Sequence, residues 1–199
     1  MKSAPEAIDV KVLGRVRRMR PGVVFTVRSF VAMDAGPSLS RIARAGHVRR
    51  LAPGIWHKPE NNPLISDVPP SSPAIAAAVA ELDRAVVQPS GASAANVLGL
   101  SDQVPARSVF LTSGPSRSIR LGKRQVILKH AAHKHMAGAG TVAGLIITAL
   151  RHIGRAHVDD IMLEAVRRAV PVAERRKVAR LLKDGPAWIA EAVVPVMIR

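Results

Sequence analysis

The chain has 199 residues, 48% of them apolar, with 30 Lys and Arg against 14 Asp and Glu and no cysteine. That length accommodates one ordinary domain and a smaller one, and the absence of cysteine excludes disulfides, thiolate metal sites and cysteine nucleophiles. The formal charge of +16 suits a polyanionic partner, because counterions condensed on nucleic acid are released when lysine and arginine approach its phosphates.

The charge is concentrated. Residues 1–60 hold twelve Lys and Arg against Glu6, Asp9, Asp34 and Glu60, a net +8, and the remaining 139 residues share the other +8. The first twenty residues are charged throughout, unlike a signal peptide, and the most hydrophobic run, Val142 to Leu150, is too short to cross a bilayer. A soluble cytoplasmic protein without a membrane partner is the expectation.

In chain order, Ile8, Val12 and Val16 recur at helical spacing while Lys11, Arg15 and Arg18 form a separate basic stripe, predicting a first helix stopped by Pro21-Gly22. Val23 to Phe25 reads as a short strand, and Thr26 as the N-cap of a second helix burying Val27, Phe30 and Val31. Asp34 to Pro37 reads as a turn. A third helix is expected from near Ser38, burying Leu39 and Ile42, exposing Arg41 and Arg44, and ending at Gly46 in a left-handed C-cap. Val48 to Leu51 and Ile55 to Lys58 flank Ala52-Pro53-Gly54 as a hairpin.

Three helices, a small strand and a terminal hairpin in that order predict a winged helix-turn-helix over residues 1–60, whose second motif helix docks in the major groove. Winged-helix modules also serve as protein adaptors; the charge favours DNA. Pro59 to Ser72 is rich in proline, asparagine and serine, placing a linker at 61–72.

Residues 73–199 are expected to form the second domain. Ser72-Pro73 opens a helix with Ile75, Val79 and Leu82 on one face. Ala85 to Gln88 reads as a strand, Ala92 to Leu98 as a short helix, and Ser108 to Thr112, Arg117 to Leu121 and Gln125 to His130 as three strands whose short links favour an antiparallel meander. From Thr141 the pattern is helical, with Asp159 capping a second helix and Pro171 and Gly185-Pro186 punctuating two more. Strands grouped before helices predict an α+β fold with a small, mainly antiparallel sheet and carboxy-terminal helices.

The candidate DNA-binding residues follow from these elements. Arg41 and Arg44 are three apart on the recognition helix, and arginine's planar fork can pair with guanine O6 and N7 or grip phosphate. Ser38 and Ser40 could bond phosphates or cap the helix. Arg49 and Arg50 alternate across their strand, so at most one should meet the backbone comfortably. Lys58 belongs to the wing, and Arg15 and Arg18 with Lys11 could flank phosphates.

No catalytic constellation is complete. Ser93 in Gly91-Ala92-Ser93-Ala94-Ala95 resembles a nucleophile elbow but lacks its final glycine and its parallel sheet. His130, His133 and His135 sit among lysines that oppose a metal ion, so neither a metal nor another cofactor is expected. Gly114 to Lys123 has no Walker A spacing.

Three runs, Leu39-Ser40-Arg41-Ile42-Ala43-Arg44-Ala45-Gly46-His47-Val48-Arg49-Arg50-Leu51, Gln88-Pro89-Ser90-Gly91-Ala92-Ser93-Ala94-Ala95-Asn96-Val97-Leu98-Gly99-Leu100 and Val109-Phe110-Leu111-Thr112-Ser113-Gly114-Pro115-Ser116-Arg117, together resemble the AbiEi-type antitoxins. That resemblance implies a bipartite antitoxin of a type IV toxin-antitoxin system. Its winged-helix head would repress its own operon from inverted or repeated half-sites, and its second domain would neutralise a nucleotidyltransferase-like toxin without a stable complex. A monomer in solution with several copies on DNA is compatible with this. The chain departs from the family in a shorter stretch between Phe30 and Leu39, in Pro53 where an arginine is common, and in Trp56 where a tyrosine is common. The alternatives are a ligand-sensing winged-helix transcription factor and an enzyme acting on nucleic acid.

Overall fold

A computed structural model describes residues 3–30, 33–60, 68–102 and 107–199, with side chains from Ile8 onward. Val31 and the linker segment 61–67 lie outside the described residues. The fold is α+β, and the chain divides into two compact units, Met1–Ala85 with Ser118–Val126, and Val86–Arg117 with Ile127–Arg199.

The first unit opens with α1 (Ser3–Arg18), followed by β1 (Val24–Thr26), a 3-10 turn (Val27–Phe30), α2 (Ala35–Arg44), β2 (Arg49–Ala52), β3 (Ile55–His57) and α3 (Ser72–Asp83). Its sheet runs β1-β3-β2 with both pairings antiparallel. All three residues of the central strand β3 are buried. Val12 and Val16 of α1, Leu39 and Ile42 of α2, and Phe25, Phe30, Val48 and Trp56 share one core. The periodicity of α1 thus marks the face it buries.

Two expectations shift here. The second helix is only a single 3-10 turn, whose Arg28 N–H donates to the Thr26 hydroxyl at 3.1 Å. Thr26 therefore caps as expected, but β-branched Val27 and backbone-competing Ser29 are weak helix formers. Helix α2 begins at Ala35, not near Ser38, and absorbs the expected turn. Pro37 is compatible with that start, because a first-turn N–H has no intrahelical acceptor to lose. At the other end Gly46 has φ +81, its N–H bonds the Ala43 carbonyl at 3.0 Å, and the His47 N–H bonds the Ile42 carbonyl at 3.1 Å. That is a Schellman cap, as the glycine predicts.

Helix α3 groups with the first unit, whereas the sequence places it in the second domain. The Thr26 hydroxyl donates to Glu81 Oε1 at 2.8 Å, and Arg28 Nε donates to the Leu82 carbonyl at 2.9 Å. Its N-cap is Ser71, which accepts from the Ala74 N–H, with Ser72 and Pro73 inside the first turn.

The second unit contains β4 (Val87–Pro89), α4 (Gly91–Val97), β5 (Ser108–Thr112), parts of β6 (Arg117–Leu121) and β7 (Arg124–His130), and then α5 (Val142–Ile153), α6 (Asp160–Ala169), α7 (Val172–Leu182) and α8 (Ala187–Ile198). The strand order is β4-β5-β7-β6, so β5 lies beside β7 and the three later strands are not a sequential meander. Hydrogen bonds fix this. The Ala131 N–H donates to the Thr112 carbonyl at 2.9 Å, and the His130 N–H donates to the Ser116 hydroxyl at 2.9 Å. The β5–β6 link therefore wraps the end of β7.

Helix α5 is the centre of this unit, with Ile146, Ile147 and Leu150 fully buried among Ala94 and Ala95 of α4, Leu182 of α7, and Ile189 and Val193 of α8. Thr141 caps α5 through the Gly144 N–H and Asp159 caps α6 through the Met162 N–H at 2.8 Å, the latter as the sequence predicts.

Candidate nucleic-acid interface

Helix α2 buries Ala35, Ser38, Leu39 and Ile42, and turns Pro37, Arg41 and Arg44 to solvent. The apolar positions at three- and four-residue spacing create this division. Arg44 is exposed and has no partner among the described residues.

Arg41 is exposed but engaged. Its Nε donates to Asp9 Oδ2 at 2.6 Å and its Nη2 to Asp9 Oδ1 at 2.7 Å, a bidentate pair tying α2 to α1. Nη2 also lies 3.3 Å from the Ser38 hydroxyl. The Arg41 hydrogen bond, helped by that of Ser38, holds the Asp9 carboxyl down at about 2, and Asp9 in turn raises the Arg41 guanidinium. One edge of the fork is thus already filled.

The two serines are occupied differently from expectation. Ser38 is 1% exposed and lies on the core side, out of reach of phosphate. The earlier start of α2 rotates it inward. Ser40, half-buried, donates its hydroxyl to the Gly36 carbonyl at 3.0 Å, the back-bond typical of serine within a helix.

After the Schellman turn the chain enters β2, where Arg49 and Arg50 are both exposed. Strict alternation would offer only one. β2 is an outer strand of its sheet and both side chains reach solvent; the register shifts only after them, between Arg50 and Ala52, where the strand bulges. The Arg50 guanidinium lies 5.7 Å from the Trp56 ring centroid. The hairpin tip is packed: the Val27 N–H donates to the Gly54 carbonyl at 3.1 Å, and a Cβ at Gly54 would press on Leu82 at 3.1 Å.

Lys58 is a clamp. Its Nζ donates to the carbonyls of Arg17 at 2.9 Å and Met19 at 2.6 Å, satisfying the end of α1. Arg15 is exposed with its guanidinium 5.5 Å from the Phe30 ring centroid, and Arg18 is exposed with no partner among the described residues. Sequence reasoning missed Asp9 as the partner of Arg41. Asp9 follows Glu6 in the first half of α1, ahead of the basic residues that begin at Lys11, and nothing local marks it as a partner of α2.

In the second unit, Ser93 is half-buried on α4 and bonds no histidine or carboxylate among the described residues. No group of three or more His, Asp or Glu that could hold a metal gathers among the described residues, and no helix there is long and apolar enough to cross a membrane.

A two-unit α+β chain with cations gathered on one helix and the strand after it is the class these observations define. The protein belongs to DUF6088, a family of unknown function whose model matches residues 11–178. No curated protein matches the sequence.

Proposed function

We propose that the first unit is a winged helix-turn-helix that binds double-stranded DNA, and that the protein regulates transcription and is not an enzyme. The observation that carries this reading is the exposed cationic stripe of α2, continued after a tight turn by Arg49 and Arg50 on the exposed edge strand β2. An α-helix fits the major groove, with a β-hairpin beside it as the wing. Arg44, with its fork free, is the base-reading candidate. Arg41, pinned by Asp9, holds the helix in register and offers phosphate its remaining edge.

Fluorescence anisotropy with the gene's own upstream duplex and a scrambled duplex tests the reading. Wild type should prefer the upstream duplex, and Arg44→Ala should lose that preference along with affinity. Equal binding of both duplexes by wild type would remove the regulator.

The antitoxin role rests on the three motifs that resemble AbiEi-type antitoxins. They fall on α2 through β2, on β4 with α4, and on β5 with its following link. The expected functional partner is a nucleotidyltransferase-like toxin encoded next to this gene. Co-expression should restore growth with the full chain, and growth arrest despite equal expression would leave only the DNA-binding role.

A further inference from the structure

The second unit contains a cleft of about 450 Å³ that the DNA-binding reading does not use, with His130, His135, Thr148, Arg151 and His152 among its lining residues. Its volume lies within the range of small-ligand sites, roughly 300 to 1,000 Å³. One arginine and three imidazoles face it, and no lining residue is acidic. The geometry points to a binding site for a small phosphorylated ligand, of the size and chemistry of a nucleoside monophosphate.

The polar groups are held in place. Arg151 Nη1 donates to the Lys134 carbonyl at 3.2 Å and lies 3.5 Å from His135 Nδ1, with no carboxylate to neutralise it within the lining. Arginine has only donors, so His135 Nδ1 accepts and the ring carries its proton on Nε2. His130 Nδ1 lies 2.9 Å from the Gly114 carbonyl, which can only accept, so there Nδ1 is the donor. Both rings are thereby oriented with one nitrogen left for a ligand. His152 reaches the wall because residue 91 is glycine: a Cβ there would collide with the histidine side chain.

A buried relay supports the floor. Gln88 is 3% exposed, its Nε2 donates to Thr148 Oγ1 at 2.8 Å, and its Oε1 has no partner. Because Thr148 accepts from below, its own hydroxyl hydrogen is available to a ligand in the cleft. A phosphate can engage the guanidinium fork, the His135 Nε2–H and this hydroxyl together, while the free His130 Nε2 can accept from a hydroxyl or amino group of the ligand. Leu111, Ala131 and Ala132 provide an apolar wall for a flat base or ring beyond it.

Calorimetric titration of the full chain with adenosine monophosphate, guanosine monophosphate, adenosine and inorganic phosphate tests the site. A monophosphate should bind, with adenosine at least about tenfold weaker because it lacks the group that Arg151 grips. Arg151→Ala should weaken the monophosphate by about tenfold or more, with Arg151→Lys between it and wild type, since lysine keeps the charge and loses the fork. His135→Gln gives a second reading at the rim, while Arg168→Ala, exposed on α6, should leave binding unchanged. Circular dichroism melts of each variant separate lost binding from lost folding. Absence of heat with either monophosphate, or equal affinity for adenosine, overturns the proposal. So does binding confined to single-stranded oligonucleotides, which would make the cleft part of a polynucleotide surface. None of these outcomes depends on Arg44 or on duplex DNA, so the site and the DNA-binding head stand or fall separately.

Discussion

Arg41 and Asp9 link the chemistry of one residue to the placement of a helix. Asp9 titrates at about 2 instead of 3.8 because Arg41 hydrogen-bonds its carboxylate. A folded-state value below the unfolded one means that the pair's contribution to stability is complete above about 3.8 and disappears as the pH falls through about 2. Thermal melts between those limits should therefore show a steeper loss for wild type than for Asp9→Asn, whose side chain does not titrate; parallel curves would mean that the pair does not stabilise the fold. The helical spacing announces the exposure of Arg41 and Arg44, because three and four residues bring side chains to one face. It cannot announce Asp9, which reaches Arg41 across 32 residues. Ser38 differs from its expected solvent-facing position for a local reason. With α2 starting at Ala35, the side chain falls on the buried face.

At the scale of elements, helix ends show what a local pattern announces and what it does not. Gly46 and Asp159 are legible because their roles are local: one supplies a left-handed residue, the other a side-chain acceptor within the first turn. Lys58 is not, because the carbonyls it satisfies, of Arg17 in the last turn of α1 and of Met19 just after it, lie some forty residues earlier. Lys58→Met should cost roughly 1 to 2 kcal/mol, on the order of two lost hydrogen bonds to otherwise orphaned carbonyls. Urea unfolding measures it. Undiminished stability together with weaker DNA binding would return Lys58 to the wing. Gly144 makes a sharper case in α5, where an added Cβ would collide with the Gly138 carbonyl and the backbone beside it. Backbone cannot swing aside as a side chain can, so Gly144→Ala should lose about 1 to 3 kcal/mol or more. An unchanged melting temperature would show that the segment before Thr141 yields.

For the whole molecule, the question is whether the positive charge is a binding surface or only a composition. Residues 1–60 carry a net +8 and the following 139 residues another +8, so both parts are basic enough to attract DNA, the first at the higher charge density. A duplex held by α2 and β2 makes a different demand. Each phosphate contact contributes about −0.9 to the slope of log K against log salt, so Arg44→Ala combined with Arg50→Ala should flatten that slope by about 0.9, the phosphate contact of Arg50, since Arg44 is aimed at base edges. Removing the same charge from the second unit through Arg168→Ala with Arg176→Ala, both exposed, should leave the slope as it was. Net charge falls equally in the two double variants, and only position differs between them. Equal flattening would mean that DNA is drawn by diffuse charge, and the helix and strand that carry Arg44 and Arg50 would lose their claim to be the interface.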